Sequence, residues 1–333
     1  MSSTDQPPSK RKRDETSSQE EEISLLADPV QSDIWYDDGN IILQAENTRF
    51  KVYRGILMEN STVFRDMFSM PQPSTGETDM VEGCSLVRLH DSAEEVGYML
   101  DALFRHRYLT SDDKMTFPVL AALLCLGRKY NIRKMQLEAR KRIYSRYPTS
   151  LKEYDAAVRK WIGLEPPAHS KLCSVLTIAR RAGLLSILPA VFYACCVTYS
   201  VSAVATKPAF CLLPSDQITC LAGRHAMYDA QAETTFAWVY TAQTLDPNCS
   251  SPKRCHQARQ KCLIDRFLPT PKDFGLDKWS YTSVYIDGKL CEECMEAAQE
   301  KHEAGRAAFW ERLPTLFNLP PWAELSKERE ETD

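Results

Sequence analysis

The chain has 333 residues, 44% of them hydrophobic and 26% charged, with a formal net charge of -4 and a pI near 6.0. That length suits two compact domains, or one domain with a helical extension, and the composition is that of a globular protein. The mild acidity excludes a global electrostatic pull toward nucleic acid or an anionic membrane.

Residues 1–22 are Ser, Gln, Pro and charge almost throughout, which predicts a disordered tail and no secretory signal. Nucleus or cytoplasm is the expected location. Lys10, Arg11, Lys12 and Arg13 form a basic block ahead of the acidic run at 20–22. Such a block suits capture by an acidic receptor groove, as in nuclear targeting, and equally serves as a solubilising charge run. An apolar segment follows, with Ile23, Leu25, Leu26, Val30, Ile34 and Trp35. Shared across a two-fold axis it would be buried as a dimer or partner surface; alternatively it covers its own domain.

Asp38-Gly39-Asn40 supplies turn chemistry, Ile41 to Ala45 is a short apolar run, and Glu46 to Thr48 reads as a hairpin tip. In the return strand Phe50 and Val52 share one face, opposite Arg49, Lys51 and Tyr53. Helical spacing then takes over, with Leu57, Phe64 and Phe68 in one stripe and Met67 alongside. After a Pro-, Ser-, Thr- and Gly-rich loop at 72–83, Val87 and Leu89 alternate as a third strand. Ser92-Ala93-Glu94-Glu95 has the form of a capping box, behind which Val96, Leu100, Leu103 and Phe104 make one apolar face. Two further helices, over 117–130 and 132–147, lead to Pro148.

Asp33, Phe50, Val52, Tyr53, Arg54, Leu57, Ser61, Phe64, Met67 and Phe68 match the opening pattern of a BTB/POZ domain, and residues 32–148 resemble that family in their order of elements. Trp35, Asp37, Asp38 and Gly39 make the segment most similar to fungal, basidiomycete-type BTB proteins. Tyr53 departs from the histidine of many relatives, a tolerated polar-tipped substitution. The resemblance implies an α+β fold, a small β-sheet flanked by α-helical hairpins. It also implies a role as a homodimer, as an adaptor for a cullin-type ubiquitin ligase, or as a recruitment module in transcription factors.

Residues 149–322 read as a mainly α-helical region expected to pack against the first as a continuous body, with a charged tail at 323–333 expected to fray. Leu172, Val175, Leu176 and Ala179 make a stripe. Leu184 to Tyr199 is nearly all apolar but shorter than the roughly 20 residues of a membrane span, so a buried core helix is expected and no membrane partner. Ser215 to Gln243 reads as one long helix, with His225 a core histidine on the face of Ile218, Leu221 and Ala222. Gly305-Arg306, Trp310, Leu313-Pro314, Phe317, Leu319-Pro320 and Trp322 also resemble the C-terminal end of the same fungal proteins, a signature to which no activity attaches.

The 12 cysteines, in a reducing compartment, argue against a disulfide framework. Cys84, Cys125, Cys173, Cys195, Cys196, Cys211 and Cys220 sit among apolar residues as small core hydrophobes. Cys249, Cys255, Cys262, Cys291 and Cys294 lie instead in a segment, 249–294, that reads as loop-rich. Cys291-x2-Cys294 has the spacing with which two thiolates reach one tetrahedral ion, at the start of a helix whose positive end favours thiolate. Cys249 and Cys255 are more widely spaced than usual. Cys249, Cys255, Cys291 and Cys294 are the first-choice ligands of a structural zinc; His256 or Cys262 could replace one, and the alternative is free thiols packed between helices.

No phosphate-cradling or dinucleotide-binding glycine loop is present, nor a Gly-x-Ser-x-Gly elbow, nor a His-Glu-x-x-His run, so no enzyme is expected. The expected function is non-catalytic protein–protein interaction, through self-association or an adaptor role. A second reading is a nuclear regulator whose zinc-stabilised cysteine-rich segment contacts nucleic acid through Lys253, Arg254, His256, Arg259, Lys261 and Arg266. Phe267 is the main aromatic there and no recognition-helix pattern follows, so nucleic acid is not the expected partner.

Overall fold

Glu46 adopts a positive φ of 49°, the left-handed conformation that lets a two-residue turn reverse the chain between strands. Around it β1 (Val30–Trp35), β2 (Ile41–Ala45) and β3 (Thr48–Val52) assemble, with Ile41 opposite Val52 and Ala45 opposite Thr48 in the antiparallel hairpin. The computed structural model describes residues 28–70, 79–110, 115–159, 171–206, 212–269 and 275–330. Lys10, Arg11, Lys12, Arg13, Ile23, Leu25, Leu26 and Cys211 lie outside the described residues. The chain is mixed α+β and divides into two units, one comprising residues up to 109 with 129–133, the other 110–128 with 134 onward.

In the first unit the stripe of Leu57, Phe64 and Phe68 is carried by two helices rather than one, α1 (Arg54–Asn60) and α2 (Thr62–Ser69). Ser61 is extended, with φ -135° and ψ 120°, and its Oγ accepts from the Phe64 N–H at 3.0 Å while donating to the Tyr130 carbonyl. One hydroxyl thereby caps α2 and fastens residues 129–133, where the Tyr130 ring stacks on Phe64 at 4.6 Å. The helix pair is the crossover that allows β5 (Cys84–Leu89), beyond the short β4 (Met80–Val81), to return parallel to β2. Ser92 then caps α3 (Ala93–Phe104), accepting from the Glu95 N–H at 3.2 Å as the capping-box spacing predicts.

Among the described residues the sheet has five strands in the order β1-β3-β2-β5-β4, two more than the sequence suggests. β1 is one of them, drawn from the apolar segment that offered either a partner surface or a cover for its own domain, and it pairs parallel with β3. Ile34 is therefore corrected: it is 2% exposed and fills its own unit's core. Trp35 is half-buried beneath the Lys51 ammonium, whereas Val30, 61% exposed, faces outward.

The second unit is helical. It comprises α4 (Phe117–Lys129) up to Arg128, α5 (Arg133–Arg146) from Lys134, α6 (Leu151–Arg159), α7 (Lys171–Ala182), a 3-10 turn at Leu185–Ile187 and α8 (Leu188–Thr198). After these come α9 (Val201–Thr206), α10 (Pro214–Glu233), α11 (Ala237–Tyr240), α12 (Pro252–Phe267), α13 (Trp279–Ser283), α14 (Glu292–Leu316), α15 (Trp322–Leu325) and α16 (Lys327–Glu330). α8 is buried almost all round, as its uniform apolarity requires. No helix among the described residues is long and apolar enough to cross a membrane.

The single helix expected over 215–243 is broken at Thr234. There α14 crosses, and Gly305 makes the approach possible: a Cβ on it would lie 2.4 Å from the Thr234 carbonyl oxygen. His225 is not a core residue either. It is exposed, and Ile218 on its face is 67% exposed, because α10 buries the opposite stripe of Asp216, Cys220, Gly223, Met227 and Ala230. Gly223 lies against the Phe317 ring where a side chain would collide at 2.3 Å, and Asp216 is held by Arg180 at 2.8 Å.

Residues 323–330 of the charged tail do not fray: they lie in and between α15 and α16. The Glu328 carboxylate accepts from the backbone N–H groups of Leu185 (2.6 Å) and Ser186 (3.2 Å), the Ser186 hydroxyl (2.9 Å) and the Tyr144 hydroxyl (2.7 Å). Arg329 covers the Tyr144 ring at 4.3 Å and donates to the Tyr147 carbonyl. Local charge suggested fraying, yet one carboxylate here satisfies the N-terminal amides of the 3-10 turn. Replacing Glu328 with Ala should lower stability by about 2–3 kcal/mol, the scale of charge-assisted bonds lost from partly buried donors. Urea unfolding of the full chain measures this, and Glu328→Gln should lose less.

Candidate metal centre

Two helix starts meet at the cysteines. Asp246 forms a turn in which its Oδ1 accepts from the Asn248 N–H at 2.7 Å and its carbonyl from the Cys249 N–H at 3.2 Å, which fixes Cys249 just before α12. Pro252 opens that helix, a position where its missing N–H costs nothing, and Cys255 sits in the first turn. On the other side Cys291 is the N-cap of α14, with φ -73° and ψ 167°, and Cys294 is the third helical residue. The wide spacing of the first pair follows from this arrangement, since the chain turns a corner through Ser250 and Ser251 between the two thiols.

The four sulfurs of Cys249, Cys255, Cys291 and Cys294 lie within 4.8 Å of one another, so they could hold a metal ion. Cys291 Sγ is 3.7 Å from Cys249 Sγ, and the Cys291 N–H donates to Cys255 Sγ at 3.2 Å. Sulfurs about 2.3 Å from a tetrahedral zinc would be spaced about 3.8 Å apart, whereas a disulfide needs about 2.05 Å. All four thiols are free; three are buried and Cys249 is half-buried. Behind them stands an apolar cluster that includes Phe236, Trp238, Ile286, Leu290 and Ala298. Burial pushes the Cys255 and Cys294 thiols up. Cys291 suffers the same desolvation, yet it is brought down to about 7, first by the Cys294 N–H at the start of α14.

The loop-rich reading of 249–294 is corrected by α12, 16 residues long. That helix separates the candidates: His256 points outward, and Cys262, two turns beyond Cys255, is fully buried with its thiol pushed up to about 11 by desolvation. Neither joins the cluster. The basic patch is also divided, because Arg259 is 2% and Arg266 5% exposed. Arg266 bonds Asp277 at 2.6 Å and Thr282 at 3.0 Å between the rings of Phe236 and Tyr285. Lys253, Arg254, His256 and Lys261 remain at the surface.

The closing signature is a packing device. Arg306, 3% exposed, pairs with Asp155 at 3.0 Å and Glu303 at 2.9 Å. Trp310 donates to the Thr149 carbonyl at 3.0 Å and stacks on Trp322 at 5.0 Å. Phe317 stacks on Phe192 at 5.2 Å. Sequence reasoning missed one buried histidine, His302, whose signal was its place on the α14 face shared with Ala298, Gly305, Arg306 and Phe309. Its Nε2 donates to the Asp277 carbonyl at 2.8 Å, so Nδ1 is the acceptor facing the Trp238 indole N–H at 3.5 Å.

No protein-family model, curated protein or solved structure matches the chain.

Burial lowers the His302 pKa to about 4, and protonation would set Nδ1–H against the indole N–H. Because the folded value lies below the ordinary 6.5, its contribution is complete above pH 6.5 and is lost as pH falls toward 4. The loss reaches about 3 kcal/mol. In His302→Gln, which retains a donor for the Asp277 carbonyl, stability from urea unfolding should fall less steeply between pH 7 and 4.5 than in the parent.

Proposed function

We propose that this chain is a non-catalytic interaction protein, its first unit a BTB/POZ-type docking module and its second a helical body closed by one structural zinc. The observation that carries the first part is the path of the first unit: a β2–β3 hairpin, a helix pair, a strand returning parallel to β2, then the capped α3. Residues of the sequence pattern occupy supporting positions along that path. Phe50, Val52, Leu57 and Phe64 are buried, Ser61 is the cap, and Asp33 accepts from Arg105 at 2.8 Å. Tyr53, the departure, donates its hydroxyl to Asp38 and lies against Tyr36 at 5.1 Å.

The partner is a second copy of the chain or a cullin-type ligase. β1 is an edge strand, and its exposed Val30 continues the apolar segment of Ile23, Leu25 and Leu26. Light scattering of the eluting full chain should give the mass of two chains, falling to one in the triple substitution Leu25→Glu, Leu26→Glu, Val30→Lys. A one-chain mass for the parent at every concentration would remove self-association and leave the adaptor role, tested by capture with a purified cullin N-terminal domain. The nucleic-acid reading loses support through the burial of Arg259 and Arg266.

Zinc is the ion that four cysteine thiolates in a tetrahedral set favour, and with no position left for water the site is structural. It would tie the start of α12 to the start of α14, over the apolar cluster that stands behind the cysteines. Metal analysis should find one zinc per chain. Chelation should lower the unfolding temperature, and Cys294→Ser should abolish stoichiometric binding; zinc-free parent protein would sink this part alone.

A further inference from the structure

Among the described residues Arg259 is a cation buried without an anion. It lies one turn after Cys255 on α12, is 2% exposed, and among the described residues pairs with no carboxylate. Its Nη1 donates to the carbonyls of Trp238 (3.1 Å) and Thr241 (2.7 Å) and its Nη2 to that of Gln243 (2.7 Å). Nε–H has no hydrogen-bond partner. A guanidinium in such surroundings carries a desolvation penalty that neutral carbonyls offset only in part. The same side chain lines a cavity of about 270 Å³ with Cys249, Cys255 and Cys294.

Four thiolates around one divalent ion leave a net charge of two minus, also buried. The N-terminal ends of α12 and α14 oppose it with partial positive charge, but neither supplies a full unit. We propose that Arg259 is the charge partner of the metal-loaded tetrathiolate: a positioning residue that is not a ligand, and that raises metal affinity through its field on the cysteine sulfurs. This rests on the zinc reading above. It accounts together for the missing carboxylate, the unused Nε donor and the shared cavity. Burial lowers the Arg259 pKa while the thiols of Cys294, Cys255 and Cys249 draw it back, which agrees with that placement.

A purely mechanical role is the competing account, in which Arg259 only clamps the carbonyls of 238–243. Cobalt and zinc binding to the full chain and to Arg259→Gln and Arg259→Lys separates the two. Both substitutions lose the planar fork, but only Gln loses the charge. Competition with a chromophoric chelator should show zinc affinity reduced about 10- to 100-fold in Arg259→Gln, the usual scale for outer-shell groups, and largely retained in Arg259→Lys. The sulfur-to-cobalt charge-transfer band should move to longer wavelength in Arg259→Gln, as the sulfur lone pairs lose a neighbouring cation, with the tetrahedral ligand-field bands kept. Equal losses in the two variants, or parent-like affinity and band position in Arg259→Gln, would overturn the proposal. If Arg259→Gln does not fold, Arg259→Lys decides: affinity near the parent's supports the charge role, and a loss of tenfold or more overturns it. A parent chain that takes up neither metal defeats the zinc reading itself, a result distinct from either variant outcome.

Discussion

α14 is the constraint on which the second unit depends, because one rigid 25-residue rod carries every class of contact that the unit needs. Its first turn presents Cys291 and Cys294. His302 and Arg306 follow in the middle, where they bond the carbonyls of Asp277 and Leu276. Phe309 and Trp310 come last, against Tyr193, Tyr154 and Trp322. Gly305 sets how closely the rod approaches Thr234, so the depth of the crossing and the position of the cysteines are linked through one helix. A substitution that moved this helix along its axis would disturb the thiol cluster and the aromatic stack together.

Where local chemistry dictates local structure, the sequence could be read directly. The hairpin, its tip, the serine cap of α3, the apolar α8 and the beginning of α14 at Cys291 all follow from turn residues, capping residues or uninterrupted apolarity. Ser61 shows the limit. The spacing of Leu57, Phe64 and Phe68 was helical, but the serine that interrupts it is recruited by Tyr130, which lies 69 residues away in sequence. β1 was hidden for a similar reason. An edge strand with one buried residue in six carries little periodicity, so its apolar members looked available to a partner.

The cysteine set was legible because thiols of this spacing have few other uses, and the four first-choice residues converge. The surroundings were not. α10 buries small and polar side chains, Gly223, Cys220 and Asp216, so a search for hydrophobic periodicity selected the wrong face and placed His225 inside. Arg259 and Arg266 resembled a basic surface because sequence does not reveal which side of α12 faces Trp238 and Asp277. The charged segment around Glu328 gave the opposite impression of its role, since the donors that hold Glu328 lie more than 140 residues earlier.

That last contact also bears on how the molecule is made. The second unit gathers residues from both sides of the 129–133 segment, which belongs to the first, and its 3-10 turn at 185–187 waits for Glu328 to satisfy its amides. During synthesis the first unit has all its residues once residue 133 has been added, whereas the turn, itself made by residue 187, waits roughly 140 further residues for Glu328. A chain halted before Glu328 therefore lacks the one carboxylate that accepts from both amides of this turn, however complete the helices made before it.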